Sequence, residues 1–522
     1  MWCNTQVSYS PSTSNARSES ELETDPRNPF IVVGSSKRFT NILTYDFTLA
    51  AYASADGGES WLEAPPLALL DNPDPNKRWA GISDPVLAFD DAGGCYLVAL
   101  PFPGHSSPFT TLGIAVYKST DGGRTWSAPN FIHPNTTSTD DKQWAASDRN
   151  PGSRWYGQVY LAWDAGSQLA FARTSDRGAT WTGFGNKPVG EPLAFDSFAP
   201  SIAVTDDGSV YVFWIAGSTI KFVKSTNGAK SFSNPQVVAS GLTTLTAALG
   251  SAGFPKFPGG RFRVLTLPTA CAGAGQTVLV AWADYRDGIS RIYYRRSVDG
   301  GNTWLGPTSG QAILPGYLAS GPDQQDFHPQ LASRPGGQVA CAFYEFGPKW
   351  SGGPRWIHVI LVTSNDGGAT FTTRETVTNV AWDPEVDAPL SHGDPNTTFI
   401  GDYFGIAGST RGFLPFWTDT RTSIQEIFCG QRLIVSPWVG VQFTGRVPAG
   451  ATYRWFTWNW PACWHVFWTI VPITVTLGTP SIRWRVQVER ASSGRITYWI
   501  SITNLTGVDV DIEGRYAVFA YD

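Results

Sequence analysis

Histidine is scarce in this sequence, six residues in 522, and none falls in an HExxH or a paired metal-ligand spacing. That removes the zinc-enzyme reading. Charged side chains are also few, 16% of the chain, and a formal net charge of -5 leaves no basic footprint for nucleic acid. Long apolar runs are missing: "VFWTIVPITVTL" is short and broken by Pro and Thr, so no membrane span can be read. The opening "MWCNTQVSYSPSTSN" has neither the basic n-region nor the apolar h-region of a signal peptide. No GxGxxG, Walker or GxSxG phrase occurs, so the loops of nucleotide and α/β-hydrolase chemistry are lacking. Six cysteines, at positions 3, 95, 271, 341, 429 and 463, include no metal-type pair. A chain of this length needs no disulfide framework. Most are expected as buried thiols, with one or two disulfides left open.

Gly (54), Pro (37) and Trp (23) are abundant, the profile of a turn-rich all-β protein. One phrase returns six times: "SADGGESW" at 54, "STDGGRTW" at 119, "TSDRGATW" at 174, "STNGAKSF" at 225, "SVDGGNTW" at 297 and "SNDGGATF" at 364. The Asp can fix a tight turn by accepting backbone N–H groups, and the Gly supplies positive φ. The closing aromatic can drop between sheets as an apolar plug. The box is therefore read as a folding device, with no catalysis assigned to its aspartates.

Each box follows an inner apolar segment ("DPVLAFD", "HPQLASR"), an aromatic strand ("CYLVAL", "VYVFWI") and a third strand that enters the box. A unit of about four strands returning every roughly 50 to 70 residues predicts a β-propeller. Counting aromatic strands, from "FIVVGSS" to "FLPFWTDTR", gives seven blades, with six as the alternative and "TQVSYS" completing the last blade. After "LIVSPWVG" the boxes stop, lysine is absent, and seven Trp fall between 455 and 499. The expectation is an all-β chain: a propeller over residues 1–435, then a Trp-rich β-sandwich over 436–522. Those Trp read as core and domain interface, or as a platform for sugar rings or a protein partner.

The boxes, their spacing and the strand phrases resemble the Asp-box (bacterial neuraminidase repeat) proteins of the sialidase superfamily. The likeness covers about the first 435 residues. It implies a glycan or polysaccharide partner, exo-glycosidase activity of sialidase type, and an extracellular or cell-surface setting. Sialidases as a family use three arginines, an Asp acid/base and a Tyr/Glu nucleophile pair on six blades. Their (F/Y)RIP phrase has no counterpart ahead of Ser54, where "SSKRFTN" stands.

Aligned inner strands bring seven positions to the axial mouth: Glu19, Asp84, Lys142, Ala199, Arg263, His328 and Tyr403, flanked by Asp141, Asp196, Asp326 and Asp402. So many ionisable groups in one ring would perturb each other's pKa values. Asp84, Asp402, Tyr403 and Glu19 are the catalytic candidates for glycoside cleavage, and Arg263, Lys142, His328 and Asp326 the substrate-binding ones. The alternative is a non-catalytic glycan- or protein-binding surface protein in which the ring caps the axis through mutual salt bridges or holds a structural cation. The cluster Asp284, Tyr285, Arg286 and Asp287, with Asp419 and Arg421, is expected to brace neighbouring blades. No cofactor is expected. Structural calcium is left open at "FDDAGG" and "VTDDGS", which read first as hairpin turns.

Overall fold

The computed structural model describes residues 2–69, 81–102, 113–134, 140–251, 253–315, 324–347 and 356–521. The protein is all-β, and among the described residues its one α-helix is the short Leu245–Leu249. It divides into two compact units, residues 6–430 and residues 1–5 with 431–522.

The larger unit contains six four-stranded antiparallel meanders in chain order. Each begins with a short inner strand: Arg17–Thr24, Gly81–Phe89, Asp140–Ser147, Phe198–Val204, Thr269–Ala272 and Gln325–Ser333. A seventh meander joins Gly405–Ser409, Gly412–Asp419 and the first residues of the long strand Glu426–Val447. Beside it, the Val7 N–H donates to the Ile427 carbonyl at 2.8 Å, so the N-terminal segment supplies an edge. The inner strands touch in chain order, and Gly405–Ser409 lies against Arg17–Thr24, so the succession returns to its start. Burial follows the same logic: Leu97 and Ala115 pack with Val33 and Leu49, Val212 and Trp214 with Tyr160 and Phe171, and Phe416 and Ile427 with Val32 and Tyr52. Each core thus lies between two sheets, which is why second strands such as Cys95–Phe102, Val210–Ala216 and Val278–Asp284 are buried and apolar on both faces.

All six boxes close the same turn after the third strand. In the second, Ser119 Oγ donates to Asp121 at 2.8 Å and accepts from the Gly123 N–H at 2.9 Å. Asp121 accepts the Thr125 N–H at 3.0 Å and the Thr125 hydroxyl at 2.6 Å. In the fourth box Asn227 replaces Asp and Ala229 takes the left-handed turn position at φ 59°. The closing aromatics plug the inter-sheet cores, as Trp304 does against Phe213 and Phe222. Asp121→Ala removes several acceptor bonds from a solvated corner and is expected to cost about 1 kcal/mol, measured as a lower denaturation midpoint with unchanged circular dichroism.

Cys95, Cys271 and Cys341 are buried thiols. In the Asp-rich turns Asp90 accepts the Ala92 and Gly94 N–H groups and Asp207 accepts from Thr205 and Ser209, while Asp91 pairs with Arg177 and Asp206 accepts the Gly275 N–H.

In the smaller unit, Thr452–Pro461, Arg495–Asn504 and Ile482–Arg490 form a three-stranded antiparallel sheet with Arg495–Asn504 in the centre. Val510–Tyr521 pairs between His465–Pro472 and the distal part of Glu426–Val447. Trp460, Tyr498, Ile500 and Ile502 from the first group meet Val447, Trp468, Ile470, Val510, Ile512 and Val518 from the second in one core.

Candidate functional site

Five inner strands carry the same irregularity. In each, two residues oppose one on the neighbouring strand: Glu19–Ser20, Asp84–Pro85, Lys142–Gln143, Ala199–Pro200 and His328–Pro329. The first residue of each pair is left-handed, at φ 47–52°. This is a β-bulge with a non-glycine residue where glycine is usual, a strained backbone that re-aims one side chain. Three of the second residues are proline, which has no N–H to leave unpaired. Ala199 adopts the bulge without any chemistry to perform. The bulge therefore belongs to the fold, and the residue type placed there decides what the site does.

Charged residues at these positions meet in one network. Asp402 accepts from Arg263 through both oxygens, Nε at 2.8 Å and Nη2 at 2.7 Å, and from Lys142 Nζ at 2.6 Å. Lys142 also reaches Asp84 at 3.4 Å. Lys37 pairs with Glu19 at 2.6 Å and lies 3.5 Å from Asp84. Three carboxyls thus face three cations, all buried or nearly so. Aromatic rings line the cationic side: Lys37 sits 4.5 Å from the Phe47 ring centre and 4.8 Å from that of Phe399, and Arg263 4.4 Å from Phe399. Cations over ring faces are favoured electrostatically in such a dry setting.

The network splits the carboxyls into two kinds. Burial alone would raise Asp402, but Arg263 and Lys142 overcome it and hold the group well below the carboxylate range. Asp84 is held down in the same way by Lys142 and Lys37. Glu19 goes the other way: burial, then the Asp84 charge, push it up to about 7 against the pull of Lys37 and Lys142. Burial lowers His328 to about 3, so the ring is neutral; it accepts the Leu265 N–H through Nε2 at 3.5 Å, and its Nδ1 is buried without a partner among the described residues. Tyr403 is buried, its hydroxyl 3.4 Å from the Pro85 carbonyl, and burial raises it well above the ordinary tyrosine value.

Several sequence expectations are corrected by position. Arg263 does not lie on an inner strand: "FRVLTL" precedes Thr269–Ala272, and a bond from the Arg263 N–H to the Thr398 carbonyl brings its side chain to Asp402. Asp326 stands apart, buried beside Arg291 and Glu345, and burial followed by the Glu345 charge raises it to about 7. Asp196 is exposed in the turn after Pro192–Phe195. Arg286 and Arg421 each pair with the Asp two residues before it, Asp284 or Asp419, which also accepts the indole N–H of Trp282 or Trp417, and Arg421 donates further to the Asn379 side chain. Lys37, Phe399 and Ser391, which bonds Arg263 at 3.2 Å, were not found from sequence. In "GSSKRF" Lys37 and Arg38 point to opposite faces, and the phrase does not say which is buried.

Next to the network opens a cavity of about 720 Å³ walled by Phe198, Ile215, Phe254 and Leu265, with Thr244, Thr246, Thr266 and Asp394 as its polar groups. It is continuous in chain with the site: Phe198 precedes the Ala199 bulge, the Leu265 N–H bonds His328, and the Phe254 ring centre lies 5.3 Å from the Arg263 guanidinium. An apolar concavity with a few convergent polar groups is the usual form of a small-molecule site.

The fold and site define an all-β protein built from repeated meanders, with a buried ionic network and an adjoining cavity. No protein-family model matches the chain, and no curated protein matches it in sequence. Solved structures similar to it include a protein of unknown function from Dyadobacter fermentans, at 16% identity over 69% of this chain and 97% of that one, TM-score 0.39. A NanB sialidase mutant from Streptococcus pneumoniae matches at 11% identity over 65% and 67%, TM-score 0.43. The α-L-arabinanase of Penicillium chrysogenum matches at 15% over 69% and 97%, TM-score 0.38.

Proposed function

We propose that the larger unit is a seven-bladed, sialidase-like β-propeller, followed by a small β-sandwich, and that it holds a glycan in the cavity beside the axial network without cleaving it. Seven successive meanders whose inner strands return to their start support the blade count. The observation that carries the binding reading is the bidentate and lysine-capped Asp402. With Asp84 and Asp402 both ionised and sealed by cations, neither can donate the proton that glycoside cleavage requires. The cavity supplies what a sugar needs instead: apolar walls for a ring face, and threonine hydroxyls with Asp394 for its hydroxyl groups. Glycan binding of this kind goes with an extracellular or cell-surface setting.

One observation favours a hydrolytic second reading. Glu19, raised to about 7, sits beside an Asp84 held low, the opposed shifts of an acid and an ionised partner. A panel of chromogenic glycosides that includes an α-sialoside separates the two, run beside a glycan-binding array. The expected result is no turnover, with binding that Phe198→Ala weakens about tenfold. Turnover that Asp84→Asn abolishes would replace the binding reading with the hydrolytic one.

A further inference from the structure

The smaller unit presents a second surface that the cavity does not involve. Its three-stranded sheet turns Trp455, Tyr498, Ile500 and Ile502 toward the core. Because side chains alternate along a strand, the intervening residues form the opposite, solvent-facing side. Register aligns them in rows across the sheet: Phe456 with Trp499 and Gln487, Arg454 with Ser501 and Arg485, Thr452 with Thr503 and Arg483. Phe456 is 59% exposed, and Arg454, Arg483 and Arg485 are exposed.

The face is organised around Trp499. The Arg454 guanidinium lies over its ring at 4.4 Å, the Phe456 ring stands 5.2 Å away, and the indole N–H donates to Glu489 at 2.6 Å. Glu489 is thereby occupied, and Arg454, Arg483 and Arg485 have no carboxylate partner among the described residues. Strand spacing sets Arg454 and Arg485 about 10 Å apart with the Ser501 hydroxyl between them. Positive charge is characteristic of this unit: residues 431–522 hold eight arginines against five carboxylates, in a chain whose net charge is -5.

We infer that this face binds an anionic polysaccharide whose sugars carry carboxylates. The exposed Phe456 ring offers a stacking surface for the apolar face of a sugar. Guanidinium groups receive carboxylates through two parallel N–H bonds, and Trp499 holds Arg454 ready in place. The three rows give a flat track of roughly 14 Å along the strands, long enough for an extended chain rather than a single sugar. An apolar partner would leave three uncompensated arginines in the contact, which is unfavourable.

The test is native gel electrophoresis of the full chain through gels containing polygalacturonate, a neutral cellulose ether, dextran sulfate or an oligothymidylate. The expected result is retardation by polygalacturonate and none by the neutral polymer. Phe456→Ala and the pair Arg454→Gln with Arg485→Gln each weaken it about tenfold, with unchanged thermal midpoints. Phe198→Ala, in the larger unit's cavity, leaves retardation intact, so failure of the cavity reading and failure of this one are distinguishable. No retardation by polygalacturonate overturns the inference. So does equal retardation by dextran sulfate and oligothymidylate that survives Phe456→Ala, because that describes a generic cationic surface. Self-association through the face, seen as a larger species in size-exclusion chromatography that Phe456→Ala returns to monomer, also overturns it.

Discussion

Asp402→Asn is expected to destabilise the larger unit by about 3 to 5 kcal/mol, measured as a lower denaturant midpoint. The carboxylate accepts two bonds from Arg263 and one from Lys142, and all three side chains are withdrawn from solvent. Asparagine keeps the shape but removes the charge, so three buried cations, Arg263, Lys142 and Lys37, are left with only Asp84 and Glu19 to balance them. Breaking one member of a buried ion pair is costly because the survivors remain desolvated. The companion measurement is Asp402→Asn combined with Lys142→Met, which removes one of the stranded charges and is expected to recover part of the loss. An Asp402→Asn protein as stable as the parent would show that the network is not a brace, and would return Asp402 to the list of groups kept for chemistry.

His328→Gln is expected to change how stability depends on acid. Burial lowers the histidine to about 3 from its ordinary 6.5, so the folded state resists the proton that the unfolded chain accepts. The stability tied to a neutral His328 is complete above pH 6.5 and is lost as pH falls toward 3, about 4 kcal/mol over that range. Glu19 and Asp326 work in the opposite sense. Their raised values mean stability present below about 4 and lost as pH rises through 7. The two effects overlap between pH 4 and 7, so the readout is the difference between parent and variant rather than the parent curve alone. Glutamine cannot take the proton and retains an acceptor for the Leu265 N–H. The parent is expected to lose ground against the variant steadily as pH falls from 6.5 toward 3. A constant difference across that range would mean that His328 is hydrated and titrates normally.

The repeat and much of the mouth were legible in sequence because both are local. A box is eight consecutive residues whose Ser, Asp, Gly and Thr satisfy one another within a single turn, so "STDGGRTW" fixes its own corner. The mouth positions Glu19, Asp84, Lys142, Ala199 and His328 could be aligned because each opens an inner apolar segment. The left-handed bulge that these five share is not written in residue type, since Glu, Asp, Lys, Ala and His all adopt it and glycine adopts none of the five. It recurs at the same step of the pairing between the first and second strand of each of these meanders.

Partner choice was not legible either. Lys37, Arg263 and Asp402 are separated by more than a hundred residues at each step, and nothing local says that Lys37 rather than Arg38 turns inward. In the smaller unit, the density of Trp announced an aromatic domain, but only strand pairing shows that Trp455 and Trp460 fill the core while Trp499 and Phe456 face outward. Sequence alone determined the repeat, the all-β class and the kind of chemistry available, because turn closure and strand alternation need only near neighbours. The tertiary structure decided which charges neutralise each other and which aromatics remain free to meet a ligand, because those depend on contacts across sheets that no local rule specifies.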